Sequence, residues 1–510
     1  MLRTTIAVLA LILMNLAQFQ YSVVATKTSI TSPPTGLLTN YTNHAMYVNL
    51  SNIEGIAIVV SDRLYNSLKY IKKIYDYLGI KYKIFKLSDV LIMFPHSNVY
   101  DSIRSLAKFV RNDLNFKYLL LLGDDVPFGY IYMKDGLEDV EGALKATDMY
   151  FSLLDFSWDQ DLDGRLLECY DVDNDGLCEV VERLPDLIPD LIVGRLPISS
   201  SYELRLYVNT FVELISRLDF NLSILLSATL IQLPNELGNN SLIDGASILE
   251  DIVKDTLLNR SGIRIFRMYE CEGVIASNYV SNLCLSARTF LSEVNRGVYD
   301  FIFMIAHGNG LKLVRKVWVS DDGDKVPEDE EISYPIIISY NEPLRIGPVI
   351  TIYIDSCLVN AVDLLNDASL GKNLLTRGAL TVIAPTRAIY YDLGGNPYMS
   401  DLLRFFMGEL LSDYPEVDPA YAFYLSRGKY MVRHLGLEQD YKYLKNALTY
   451  TFLGDPILTK YVIKLREEAL ILRHNLCKIL VNDKPLGPLI FNLVVKKYIH
   501  PSPILSCKVV

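Results

Sequence analysis

Two apolar runs each end in a side chain that can do chemistry. Val298–Ala306 reads V-Y-D-F-I-F-M-I-A and gives way to His307-Gly308, while Pro348–Asp355 reads P-V-I-T-I-Y-I-D and gives way to Ser356-Cys357. A thiol attacks as its thiolate, so an imidazole that takes up and returns the proton is the partner cysteine hydrolysis needs. Both runs have the length and β-branched content of buried parallel strands, and open α/β sheets build their sites at strand carboxyl ends. The pattern predicts that His307 and Cys357 form a catalytic dyad. Taken singly, Cys357 reads as a buried core thiol and His307-Gly308 as an ordinary turn; the matched pair favours chemistry.

Cysteine usage points the same way. Residues 1–25 have the composition of a signal peptide: Arg3, an apolar stretch Ile6–Ala17, and Val24-Ala25 as small residues for cleavage. The apolar stretch is short for a membrane span and is followed by Gln18 and Gln20. Export to a secreted or cell-surface location is expected, with no stable span once the signal is removed; a retained anchor is the alternative. Thiols outside the cytosol tend to pair. Of the seven cysteines, Cys169 with Cys178, Cys271 with Cys284, and Cys477 with Cys507 are the simplest pairs, which leaves Cys357 over. Sequons at Asn40, Asn49, Asn221, Asn239 and Asn259 fit an exterior location but are as frequent by chance. A net charge of −11 and a pI near 5.2, with no basic tract, disfavour nucleic acid as a partner.

The elements that must position the dyad follow from periodicity. Ile56–Val60, Lys81–Leu87 and Tyr118–Leu122 read as strands. Between them lie helices over Leu64–Leu78, which Ser61 is placed to cap, and Asp101–Asp113. This βαβαβ order implies a parallel sheet. After an acidic stretch, Leu191–Val193 resumes the sheet and a helix over Tyr202–Leu218 leads into a second series. That series has strands Ile224–Leu230 and Ile263–Met268, the His307 and Cys357 strands, and Ala379–Ala384, with helices Ala246–Leu258, Ser286–Asn295 and Leu370–Thr376. A helical stretch to about Lys445 and a β-like tail complete the chain. The expected fold class is α/β, with two tandem αβ subdomains of mainly parallel sheets and a small β-rich C-terminal appendage.

With these pieces in place, the chain resembles the gingipain family of clan CD cysteine peptidases, relatives of caspases and legumains, from about Ile56 to Leu458. The resemblance is carried by Leu120-Leu-Leu-Gly-Asp124 with Pro127, Thr147-Asp148-Met-Tyr150, Val193-Gly-Arg-Leu-Pro197, His307-Gly308, Ser356-Cys357 and Phe452-Leu-Gly-Asp-Pro456. Serine stands before the thiol where the family more often has alanine. The resemblance implies that residues 220–461 form a caspase-like catalytic subdomain, packed on an N-terminal αβ subdomain, 52–219, that carries no dyad. Residues 26–51 are then an N-terminal extension or propeptide, and 462–510 the appendage. It further implies that Cys357 attacks a peptide carbonyl to form an acyl-enzyme and His307 protonates the leaving amine. The N–H groups of Gly308 and Cys357 would face the oxyanion. Polypeptide is the expected substrate, with no cofactor for catalysis.

Members that cleave after Arg or Lys use an acidic pocket residue between the first strand of the catalytic subdomain and its next helix. Asp244 in Ser241-Leu-Ile-Asp-Gly-Ala matches that location, with a plain helix N-cap as the equal alternative. Tyr391 would supply an aromatic pocket wall, although Arg387 nearby complicates a cation site. The acidic run Asp321, Asp322, Asp324 and Glu328–Glu331 would attract basic peptides if it lies beside the cleft, and is otherwise a solvated loop. Cleavage after basic residues is the expected preference.

Asp171-Val-Asp173-Asn-Asp175-Gly176, with Glu179 and the closing Glu182, fits the D-x-D-x-D-G-x5-E calcium-loop pattern. Asp159, Asp161, Asp163 and Gly164 repeat its first half, but Tyr170 stands at the closing position and only Glu168 is near. A structural calcium ion is expected, against the alternative of an acidic loop without metal. Two further function classes remain at this point. One is a catalytically inactive gingipain-like surface binding or adhesion protein, since architecture does not fix activity. The other, a metal-dependent hydrolase, is weakened by the absence of clustered histidines.

Overall fold

The structure is a computed structural model that describes residues 55–465, except 171–178, 181–187, 216, 218–221, 237–240, 258–261, 343–345, 366–367, 393–394, 413, 415–417 and 435–439. The signal segment, the 26–51 extension, all five sequons, the tail beyond 465, and Cys178, Cys477 and Cys507 therefore lie outside the described residues. So do Asp171, Asp173, Asp175 and Glu182, and the side chain of Glu179.

One 11-stranded sheet runs through the molecule. In chain order its strands are β1 (Gly55–Val60), β2 (Lys81–Lys86), β3 (Tyr118–Leu122), β4 (Ile192–Leu196), β5 (Leu222–Ala228), β6 (Ile263–Tyr269), β7 (Leu283–Cys284), β8 (Phe301–Ile305), β9 (Val349–Asp355), β10 (Ala379–Pro385) and β11 (Tyr450–Gly454). Their order in the sheet is β7-β6-β5-β8-β9-β10-β11-β4-β3-β1-β2. Every pairing is parallel except β10 with β11. Helices on both faces explain why β3, β5, β8, β9 and β10 are buried along their whole length and read as continuous apolar runs.

The mixed α/β class and the parallel sheet are as expected, and the disulfide Cys271–Cys284 forms. Cys169 is also disulfide-bonded. Three details differ. Ser61 does not cap a helix: a 3-10 segment, Asp62–Leu68, precedes the α-helix Lys69–Leu78, and the Ser61 hydroxyl donates to Asp125 Oδ2 at 2.9 Å. The chain between β2 and Asp101 holds an unforeseen helix, Leu87–Met93. Beyond the helices Ser400–Ser412, Pro419–Arg433 and Tyr441–Thr449, β11 enters the sheet antiparallel to β10 and parallel to β4, joining the strands of the two halves.

That seam is where the short motifs meet. A Cβ on Gly194 would lie 2.4 Å from Gly454 O and 2.5 Å from the Pro456 ring, so V-G-R-L-P and F-L-G-D-P pack with no side chain between them. Arg195 is fully buried and binds Asp148 of T-D-M-Y through two nitrogens, at 3.0 and 2.6 Å. It also donates to the Val126 and Pro127 carbonyls and covers the Phe128 ring at 3.7 Å. A guanidinium so enclosed is stable only with its donors satisfied and its charge paired.

Candidate active site

Parallel pairing sets Ile305 of β8 opposite Asp355 of β9, and Ala306 N–H donates to Asp355 O at 3.1 Å. His307 and Cys357 each lie two residues past that rung, at the carboxyl ends of adjacent strands. Gly308 packs directly against the turn that carries the thiol: a Cβ there would stand 2.5 Å from Ser356 Oγ and 2.8 Å from Lys312 O. The residue after the imidazole thus touches the residue before the sulfur, and only glycine permits it. His307-Gly308 also pairs antiparallel with Lys312–Val314, which holds the backbone in register.

The turn that carries Cys357 is pinned by its neighbours. Leu358 adopts φ +64° and its N–H donates to Arg387 O at 3.2 Å. Fully buried Asn360 sends its amide nitrogen to the carbonyls of Val382, Ala384 and Thr451. Cys357 is partly exposed and is a free thiol.

His307 Nε2 lies 3.0 Å from Ile231 O, so this nitrogen carries the hydrogen and Nδ1 is the basic one. The Tyr334 ring stands edge-on to the imidazole at 6.4 Å. Burial, with a smaller contribution from Lys316, lowers the imidazole to about 4, against carbonyl and Glu236 effects that favour its charged form. Burial likewise raises the thiol, although the Ile389 N–H and Lys445 pull the other way. At neutral pH the resting pair is therefore thiol and imidazole, both uncharged.

Asp244 lies beside this centre, on the short antiparallel pair Leu230–Gln232 with Ile243–Asp244, whose Ile231 carbonyl holds His307. Its Oδ1 accepts the Ala246 N–H at 2.9 Å, the capping contact at the start of helix Gly245–Leu257. Its Oδ2 accepts the Ser277 hydroxyl at 2.8 Å. The residue is 8% exposed, and burial raises its carboxyl. Tyr391 is half-buried in the segment after β10. Arg387 is removed as a competing cation, since its guanidinium is spent on Asp363 at 3.1 and 2.7 Å and on Leu144 O.

Several members of the site lay beyond sequence reasoning. The Glu236 charge favours the protonated forms of His307, Tyr334 and Tyr391. Glu236 is itself paired with Lys316. Glu236 follows strand β5 and Lys316 follows β8, at sequence separations that carry no local signal. Of the acidic run, Asp322, Asp324 and Glu328–Glu330 are exposed, while buried Glu331 accepts from Trp318 Nε1 at 3.1 Å and from the Asp322 N–H at 2.8 Å. In the calcium-type loop, carboxylate oxygens of Asp159, Asp161 and Asp163 lie within 4.8 Å of one another. Asp159 Oδ2 accepts the Gly164 N–H at 3.0 Å, and its Oδ1 is inaccessible and lacks a hydrogen-bond partner.

Residues 50–461 match the family model for peptidase family C25. Among solved structures, the chain is similar to the Arg-specific cysteine proteinase gingipain R, with 13% identity over 80% of this chain and 78% of that one and a TM-score of 0.51. A structure described as a protease gives the same figures. The complex of Porphyromonas gingivalis RgpB pro- and mature domains is 12% identical over 79% of each chain, with a TM-score of 0.49. No curated protein sequence matches the chain. The structural likeness extends to the fold alone.

Proposed function

As a member of peptidase family C25 the chain is a cysteine-type peptidase, and we propose that it cleaves polypeptides through Cys357 and His307. The observation that carries this reading is the approach of Gly308 to Ser356 at the ends of neighbouring parallel strands, with the sulfur of Cys357 unbridged. In the reaction, the Cys357 proton passes to His307 Nδ1 as sulfur bonds to the scissile carbonyl carbon. The imidazolium then protonates the departing nitrogen as the C–N bond breaks, which leaves an acyl-enzyme for water to hydrolyse. The N–H groups of Gly308 and Cys357 face the oxyanion, a contribution of about 3 kcal/mol per donor in related chemistry.

Asp244, buried without a cation among the groups that shift it, is the residue for a basic side chain at the cleavage site, with Tyr391 as the wall. The exposed acidic run would draw basic peptides towards the cleft. Asp159, Asp161 and Asp163 suit a hard cation, because the partnerless Asp159 Oδ1 is an oxygen in want of one. Asp171, Asp173, Asp175, Glu179 and Glu182 would hold a second. Such an ion would neutralise and stiffen the loop and would take no part in the chemistry. The composition of residues 1–25 supports export, and no helix among the described residues is long and apolar enough to cross a membrane.

Fluorogenic peptides ending in Arg, Lys, Asn or Asp, tested on the wild type and on Cys357→Ala, check the reading. Turnover after Arg or Lys, lost by about 10⁴-fold or more in a folded Cys357→Ala variant, is expected. Cleavage retained by that variant refutes the nucleophile, and a preference for Asp or Asn removes Asp244 from the pocket.

A further inference from the structure

The half of the molecule without the dyad reaches the nucleophile through a buried group of charges. Lys145, Glu141, Asp135 and Lys445 have fully buried side chains. Lys145 Nζ contacts Asp135 Oδ1 at 3.0 Å and Glu141 Oε1 at 2.7 Å; Lys445 contacts Asp135 and, at 2.5 Å, the same Glu141 oxygen. Two cations and two anions cancel, which is the condition for keeping them out of water. The remaining Glu141 oxygen, Oε2, accepts the Ala388 N–H at 2.6 Å.

Ala388 lies in the segment that backs the thiol turn, and its neighbours are fixed as firmly. The Arg387 carbonyl takes the Leu358 N–H, one residue past Cys357. Asn446 exchanges hydrogen bonds with both the N–H and the carbonyl of Tyr390, at 3.0 and 2.7 Å. The Thr386 hydroxyl donates to Ala146 O at 2.7 Å, next to Lys145. Leu144–Thr147 and the Glu138–Glu141 turn, both from the N-terminal half, thus form the floor on which residues 386–390 rest.

We propose that Glu141 is a positioning residue of the peptidase reaction: by holding Ala388 it sets residues 387–390 against the Cys357 turn, and Lys145 and Lys445, which pair with its other oxygen, hold it in place. The Ile389 N–H, next in the chain, then favours the Cys357 thiolate. The proposal rests on Cys357 as nucleophile.

Two charge-balanced double variants test it, each losing one anion and one cation. Glu141→Ala with Lys145→Met removes the acceptor for Ala388; Glu141→Gln with Lys145→Met restores it. The alanine variant is expected to lose about 100-fold in kcat with KM little changed. The glutamine variant is expected to recover to within about tenfold of wild type. Wild-type kcat in a folded alanine variant, or equal losses in both, overturns the proposal. Should neither fold, amide hydrogen exchange in the wild-type protein decides: slow exchange at Ala388 and Ile389 supports the contact, and exchange at the rate of free peptide overturns it. An active Cys357→Ala would sink the nucleophile reading beneath; an inactive one beside a fully active alanine variant would sink the positioning role alone.

Discussion

His307 and Cys357, at the ends of adjacent strands, are both uncharged at rest because burial disfavours their ions. Burial lowers the imidazole to about 4 and raises the thiol, so the proton stays on sulfur at neutral pH. A resting ion pair would instead keep the sulfur reactive at acidic pH. The rate of Cys357 alkylation by iodoacetamide should therefore climb about tenfold per pH unit from about pH 6 to about pH 8. A flat profile across that range would contradict the uncharged pair. The same imidazole makes stability fall on acidification. The unfolded residue takes up a proton near 6.5 and the folded one only near 4, so what His307 contributes is present above 6.5 and is lost as pH falls through about 4.

At the scale of elements, the two chemical strands were legible because a strand buried on both faces needs an unbroken apolar run. The residues that end β8 and β9 stand out against such runs. The helix Leu87–Met93 was not legible, having no capping hydrogen bond and a single buried residue. Nor was β11, whose status as a strand depends on β10 and β4, far away in the chain. Asp355 shows what such distant pairing does. It closes β9, is fully buried, and receives the Tyr450 hydroxyl from β11. Burial raises its carboxyl from 3.8 to about 8. Its contribution is thus complete below 3.8 and is lost as pH rises through about 8, opposite in sign to that of His307. Asp355→Asn, which cannot ionise, should melt progressively higher relative to wild type between about pH 5 and about pH 8. Parallel melting curves for the two proteins would show that Asp355 ionises normally.

Across the whole molecule, one sheet makes the two halves a single scaffold. The motifs that carried the family resemblance lie largely at its seam, where Gly194 meets Gly454 and Arg195 meets Asp148. They were legible as sequence because a close backbone approach and a buried ion pair tolerate few residue types. The charged floor of Asp135, Glu141, Lys145 and Lys445 was not, because its members come from separate elements and only folding pairs them. The Asp159–Asp163 loop is where a bound cation would act on stability alone. Calcium at about 100 times its dissociation constant stabilises a protein by about 2.7 kcal/mol, so chelation should lower the melting temperature and leave the thiol chemistry intact. An unchanged melting temperature would remove the ion from the account.

The claim on which the rest depends is that one sulfur, served by one imidazole, opens the peptide bond. Incubation with a peptidyl acyloxymethyl ketone ending in Arg, followed by mass analysis of the digested protein, measures this directly. The account predicts a single adduct on Cys357 that forms in the wild type and fails to form in a folded His307→Ala variant. An adduct on another residue, or one on Cys357 that forms as fast without His307, would contradict it.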